Sequence, residues 1–410
     1  MATLTLDPVR VGHGCGWSTD GLWPSHGGVA VEWIHDNLIF AEGDYYGEPF
    51  RCRHDQQAFL WHWYEYCGGC GKWRYRRGLK GAAKGDGKTA FIAAIACAEF
   101  AGPPCIAPKS PNIPIMAASF AQADLLFNVA GTMLGGKDRM VAEAPLREYF
   151  EVYDTEIKFA DGRPGRMYRV AAQAGTNDGT LPTLFLADEL HELGAIGSNK
   201  ARVHTVIANG LRKRKTGREL NLSTAGADLD ASLLGAMYRH GLDVAHDPEV
   251  DPEFLFDWRE APDGLDYDKP ADRRAAVRAA SAAAGVLWDV EDRVRRYDDP
   301  VVPHHEWIRY YANKWVAVTD DSWLVEHPGA WGECLSDEPI PRRACSGTSR
   351  TASVATTTRW CPTMSGSGTS RTAGSPSPTT RGWLSTPARG PTAAPTSRSR
   401  TVPRSWQAST

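Results

Sequence analysis

Two short runs, far apart in the chain, carry residues whose types and order fit one reaction. In Ala82-Ala83-Lys84-Gly85-Asp86-Gly87-Lys88-Thr89, an Ala or Gly is followed by four residues and then by Gly-Lys-Thr. That order suits a nucleoside triphosphate. Gly85 and Gly87 permit the dihedrals that turn successive amides toward phosphate oxygens. Lys88 brings a cation to the β- and γ-phosphates, and the Thr89 hydroxyl can ligate Mg²⁺. The second run is Leu184-Phe185-Leu186-Ala187-Asp188-Glu189. There, Asp188 can hold the hydrated metal and Glu189 can orient and deprotonate the attacking water. Phosphoryl transfer is largely positioning and charge neutralisation, so these few groups suffice for hydrolysis of ATP.

These groups need elements to hold them. Ala90 through Ala101 read as a helix stopped by Gly102-Pro103-Pro104, with its N-terminus, and so its dipole, aimed at the phosphates. Leu184–Ala187 is a short unbroken apolar run, the pattern of a strand buried in a parallel sheet. Its acids then emerge at the C-terminal edge, where open α/β sheets bind ligands. Glu219 through Gly226 read as another strand ending in small residues, with Ser223 or Thr224 placed to sense the γ-phosphate. The stretch Arg76 to Gly81, ahead of the loop, is polar for a buried strand. Runs from Glu151 to Phe159 and from Arg166 to Ala172 flank Asp161-Gly162 and suggest a hairpin. Helices are expected around Ala30–Ile34, Phe59–Tyr64, Asp272–Ala280 and Glu291–Tyr297. The expected fold is α/β: a P-loop NTPase with a mainly parallel central sheet flanked by helices, a helical lid or linker subdomain and a disordered C-terminal tail. The expected divisions are residues 1–50 (N-terminal segment), 51–227 (ATPase core), 228–340 (helical lid or linker) and 341–410 (low-complexity tail).

With these runs in place, the chain resembles the large terminase subunit of tailed bacteriophages. Lys84-Gly85-Asp86-Gly87-Lys88-Thr89 looks like that family's variant phosphate loop, with a basic residue ahead of Gly-x-Gly-Lys. Ala98 to Pro103 resembles the end of the helix that follows. Leu186-Ala187-Asp188-Glu189-Leu190-His191 is similar to its metal and catalytic-acid motif, and Ser223-Thr224-Ala225-Gly226 to its coupling motif. Ile115 to Gln122 looks like its next strand and helix start, and Trp307 to Val316 like the segment closing its ATPase region. Pro49 to Gln56, followed by an aromatic helix, looks like its adenine-reading element, with Gln56 as the contact and Gln57 adjacent. The resemblance implies an ATP- and Mg²⁺-dependent motor that packs double-stranded DNA into a procapsid. It further implies a portal protein and a small terminase subunit as partners, a homo-oligomeric ring on the portal, the host cytoplasm as location, and an arginine supplied by a neighbouring subunit. Arg202, Arg212 and Arg218 are candidates for that arginine.

The family continues into a nuclease domain, whose two-metal chemistry needs several convergent carboxylates. Here no Asp or Glu follows Glu338 and no Lys follows Lys314. Beyond Pro341 the apolar patterning stops as well, so that segment has no means of burying a core. The nuclease is expected to be absent. A frameshift near codon 341 would explain the simultaneous loss, and a genuine basic tail is the alternative.

The formal net charge of −3 excludes a polycation, so nucleic-acid contact must come from local patches such as Lys72-Trp73-Arg74-Tyr75-Arg76-Arg77 or Arg212-Lys213-Arg214-Lys215. A solvated face is the plainer reading of each. No run of apolar residues is long enough to span a membrane. The nine cysteines are scattered, and Cys67-Gly68-Gly69-Cys70 lacks the second half of a zinc motif, so a Gly-rich turn is the better reading. Asp188-Glu189-Leu190-His191 is also a D-E-x-H box, which leaves a helicase as the rival enzyme. A binding subunit without catalysis is the rival from another class.

Overall fold

A computed structural model describes residues 23–171 and 181–316. The chain divides into two units, Met1–Leu324 and Val325–Thr410; the second, with the acid-free tail, lies outside the described residues.

The chain enters through α1 (Gly27–Asn37) and α2 (His54–Trp63). It then forms β1 (Arg77–Gly81), α3 (Lys88–Ala101), β2 (Asn112–Ala117) and α4 (Phe120–Met133). A meander follows, β3 (Phe150–Val152), β4 (Glu156–Phe159) and β5 (Arg166–Ala171). Next come β6 (Leu184–Ala187), α5 (Asn199–Leu211), β7 (Arg218–Ser223), α6 (Leu233–His246) and β8 (Phe254–Trp258). The described chain closes with α7 (Pro270–Ala280), α8 (Val290–Arg295) and α9 (His304–Tyr311).

The eight strands form one sheet in the order β3-β4-β5-β2-β6-β7-β1-β8. From β5 to β8 every neighbouring pair is parallel, and only β4 runs against its neighbours. The expected hairpin around Asp161-Gly162 is the β4–β5 turn. The run from Glu151 to Phe159 is two strands rather than one, because the chain turns back at residues 153–155 to pair Phe150 with Phe159.

Both faces of the sheet are covered. On one face α3 is buried along nearly its whole length, from Phe91 to Phe100, beneath α1, α2 and α4. Its sequence is apolar all round, as a helix enclosed on every side must be. On the other face α5 and α6 cover Phe185, Leu79 and Phe254. A third, separate cluster joins α7, α8 and α9 around Trp307, Val277 and Val294.

Two expectations need correcting. The segment after residue 227 is not all helix, since β8 adds to the sheet beside β1. The helical unit therefore begins after Trp258, where the third cluster takes over. In addition, the polar stretch before the loop is indeed a buried strand. Lys80, 2 % exposed, carries its ammonium to Asp257 on β8 and lies over the rings of Phe59 and Phe91. A lysine can be buried when a carboxylate and aromatic faces replace its water. Gly81, the last residue of β1, must lack a Cβ because one there would collide with the Trp258 ring.

Candidate active site

The phosphate loop leaves the C-terminal end of β1 and runs straight into α3. Gly85 (φ +83°) and Gly87 (φ +78°) take the left-handed backbone expected of them. Gly87 is the N-cap of α3 and no side chain caps that helix, so its first amides have no partner within the helix. The amides of Ala83 and Lys84 are taken by the carbonyls of Ala280 (3.0 Å) and Tyr310 (2.7 Å). The donors left for phosphate are those of Gly85, Gly87, Lys88 and Thr89.

Lys88 is buried, and its Nζ donates to the carbonyls of Ala82 (2.7 Å) and Ala83 (3.0 Å) and to Thr224 Oγ1 (3.3 Å). Burial lowers its pKa, against the pull of Glu189, Asp86 and Asp188. The ammonium thus rests on neutral oxygens while three carboxylates act on it from nearby. A triphosphate would give it the anion it lacks. Ala82 serves the site through its carbonyl. The Lys84 side chain lies over the Tyr310 ring, 5.0 Å from its centre.

An acid inside a phosphate loop is an electrostatic liability, and the structure resolves it. Asp86 is turned away and buried, accepting hydrogen bonds from Ser281 Oγ (2.7 Å), Ala283 N (3.3 Å) and Arg53 (3.3 Å). It fastens the loop to the segment after α7 instead of facing phosphate.

Asp188 and Glu189 leave β6 at the same sheet edge, two strands from β1. Asp188 continues the ladder through its amide to Met116 O and accepts Glu189 N at its own Oδ1, 2.9 Å. Burial, with the neighbouring Glu189 carboxylate, raises its pKa to about 6. Glu189 moves the other way. Burial alone would raise it, but the close approach of His191 and the cations Lys88 and Lys84 outweigh that and hold it below its ordinary value. Its backbone is left-handed, φ +48°, a strained conformation for a non-glycine residue. Its Oε2 lies 3.2 Å from His191 Nδ1 yet has no hydrogen-bond partner. A buried carboxylate oxygen with a spare acceptor is what water activation requires.

The segment from Ser223 to Gly226 touches Lys88 and the turn after Glu189. Ser223 Oγ accepts His191 N (3.1 Å) and lies 3.2 Å from His191 Nδ1, so it braces the turn after Glu189. Thr224 meets Lys88. Ala225 N donates to Asn313 Oδ1 at 2.7 Å, and Gly226 leaves no room for a Cβ beside the Trp315 ring. Gln56, the expected adenine contact, is buried, and its Oε1 accepts Arg53 N (2.9 Å) as part of a helix cap. The α2 N-terminus does lie beside the loop, since Arg53 reaches Asp86 and stands near Gly87. The geometry brings Asp188 and Glu189 close enough to Lys88 for both carboxylates to act on its ammonium, while Gln56 is engaged in the α2 cap.

One residue escaped the sequence reading. The Arg293 guanidinium lies about 3.1 Å from where a Gly85 Cβ would stand. It is held between Trp288 (5.0 Å) and Tyr311 (4.7 Å), while Trp288 Nε1 donates to Gly85 O at 2.9 Å. No carboxylate pairs with it among the described residues. Nothing in the local sequence of α8 marks it. Of the candidate trans-acting arginines, Arg218 is excluded because it is fully buried against Glu99 and donates to Trp63 O at 2.7 Å.

Residues 56–239 match the family described as terminase large subunit, ATPase domain. Among solved structures, the chain is similar to the HK97 bacteriophage large terminase, at 21% identity and a TM-score of 0.58, over 71% of this chain and 56% of that one. It also aligns with the ATPase domain of a Thermus phage large terminase, at 14% identity and a TM-score of 0.41, over 68% of this chain and all of that one. No curated protein matched. The chain spans about 56% of the length of the HK97 protein.

Proposed function

We propose that this chain is the ATP-hydrolysing motor subunit of a phage terminase, moving double-stranded DNA into a procapsid with a portal protein and a small subunit as partners. The observation that carries the hydrolytic part is that Lys88, at the uncapped N-terminus of α3, feels the carboxylates of Asp188 and Glu189, which leave the same sheet edge.

In this reading the amides of Gly85, Gly87, Lys88 and Thr89 and the Lys88 ammonium hold the β- and γ-phosphates. Lys88 exchanges its carbonyl contacts for phosphate oxygens, and Thr224, at 3.3 Å, registers that exchange. Glu189 orients a water in line with the γ-phosphorus and takes its proton, and its depressed pKa keeps it ionised for that role. Thr89 and Asp188 supply a hydroxyl and one carboxylate. That is too few protein ligands for a hydrated Mg²⁺ alone and suits one that shares the phosphates. Bound there, such an ion would supply charge neutralisation to the phosphates. Arg293 adds a cation from the lid side. Because Ser223 touches His191 and Thr224 touches Lys88, strand β7 feels both ends of the reaction and passes movement to the Asn313–Trp315 segment.

The test is phosphate release by the purified chain. Lys88→Ala should abolish both nucleotide binding and turnover. Glu189→Gln should retain binding and lose turnover by about 10²–10⁴-fold. Wild-type turnover that survives both changes would overturn the assignment.

A further inference from the structure

The two cationic runs, separated by well over a hundred residues in sequence, meet in the fold. The parallel strands all start at one edge of the sheet and end at the other. Residues 72–76 precede β1, and residues 212–217 lie between α5 and β7, so both sit at the starting edge. This edge is opposite the phosphate loop, roughly 17 Å away across a five-residue strand. Lys72, Arg76, Arg212, Lys213, Arg214 and Lys215 line one recess of about 340 Å³ there, with Glu253 as the sole acid in its wall.

The juxtaposition is built into the structure. The Arg76 guanidinium donates to the carbonyls of Arg214 (3.1 Å) and Gly217 (3.2 Å). Its donors fix the second run beside the first, and because carbonyls carry no net charge, its own charge stays uncancelled. Lys72, Arg212, Lys213 and Lys215 are exposed and form no ion pair among the described residues. Arg214 Nε is buried without a partner. Nearby acids are committed elsewhere: Asp251 to Arg77 and His240, and Glu219 to His204 and Asn221. Arg214 also lines the adjoining recess with Arg166, and with Lys158 and Arg163, which are paired with Glu156 and Asp161.

A chain of net charge −3 that gathers six cations around one acid carries a local anion site. The single aromatic of the recess, Trp73, packs on Arg218 and Tyr64, so it offers no free face for stacking an unpaired base. We infer that this edge is a docking surface for the phosphate backbone of duplex DNA, read without sequence preference. The identity of the polymer rests on the packaging reading above; the location rests on the geometry alone.

Backbone contacts of this kind release counterions, so affinity falls with salt at about 0.9 per neutralised phosphate. The experiment compares three full-length proteins by fluorescence anisotropy of a labelled mixed-sequence duplex over a salt series. These are the wild type, Lys72→Gln/Lys213→Gln/Lys215→Gln, and a control with Lys200, Arg278 and Arg295 changed to Gln. All three changes in the first variant are at exposed side chains, and DNA-free ATP turnover reports whether the fold survives. The expected result is a slope of log K against log salt shallower by about 2 to 3 in the first variant. The control and the DNA-free turnover should stay as in wild type. A first variant with wild-type slope and affinity overturns the surface while leaving the motor reading intact. A loss confined to single strands overturns it as well. A wild type that hydrolyses ATP but binds no duplex removes the DNA-motor reading, and this inference with it.

Discussion

The two edges of the sheet are built from the same strands and solve opposite problems. At the finishing edge, charged groups are left incomplete among the described residues: Lys88 rests on neutral carbonyls, Glu189 Oε2 has no hydrogen-bond partner, and Arg293 pairs with no acid. Beneath the starting edge, the buried charges are closed. Arg218 is paired with Glu99 and boxed by Trp63, Tyr64 and Trp73, and His204, Glu219 and Asn221 satisfy one another. Lys72, Arg212, Lys213 and Lys215, which pair with no acid among the described residues, are exposed. The difference separates groups proposed to receive a ligand from groups holding the fold, although each edge carries both acids and cations.

That contrast is most easily broken at Lys88. Lys88→Ala should lower ATP turnover by about 10³-fold or more while leaving the unfolding midpoint in denaturant close to wild type; a large loss of stability would mean that the lysine is structural. Glu99→Gln should do the reverse. It leaves Arg218 buried without a counter-charge, which costs about 3–5 kcal/mol in urea unfolding. Nucleotide affinity, measured where the variant is still folded, should not change. Arg293→Ala should raise the KM for ATP about tenfold, in line with one charge-assisted hydrogen bond, with Arg293→Lys between. An unchanged KM would make it a lid-packing residue only.

The smallest effect is a pH dependence of the closed cluster. For His204, burial pulls the pKa down but Glu219 and Asn221 outweigh it, so the value lies above 6.5. Its stabilisation is complete below 6.5 and is lost as pH climbs through the folded value. For Glu219, burial pushes up but His204 and Asn221 outweigh it, so the value lies below 4.5, and its stabilisation is lost as pH falls through that lower value. The pair therefore stabilises most between 4.5 and 6.5. His204→Asn should remove the decline in unfolding free energy on the alkaline side without moving the pH profile of ATP turnover. A shift in that profile would show that the two edges are coupled.

Local sequence determined the groups proposed to hold phosphate and the strands that present them. Gly85, Gly87, Lys88, Asp188 and Glu189 are legible because loop geometry and a short apolar strand impose residue type at fixed spacing. The helix from Lys88 to Ala101, with its stop at Gly102-Pro103, was legible for the same reason. Tertiary structure alone decided the rest. Sequence gives no sign that Asp86 faces away from phosphate, that Lys80 is neutralised by Asp257, or that Phe254–Trp258 joins the sheet. It is equally silent on Arg293 reaching the loop and on residues 72–76 meeting 212–215. The reason is physical: each of these depends on a partner brought from tens to hundreds of residues away. A charged side chain's role is set by which opposite charge, carbonyl or water it meets, and a single stretch of chain does not carry that information.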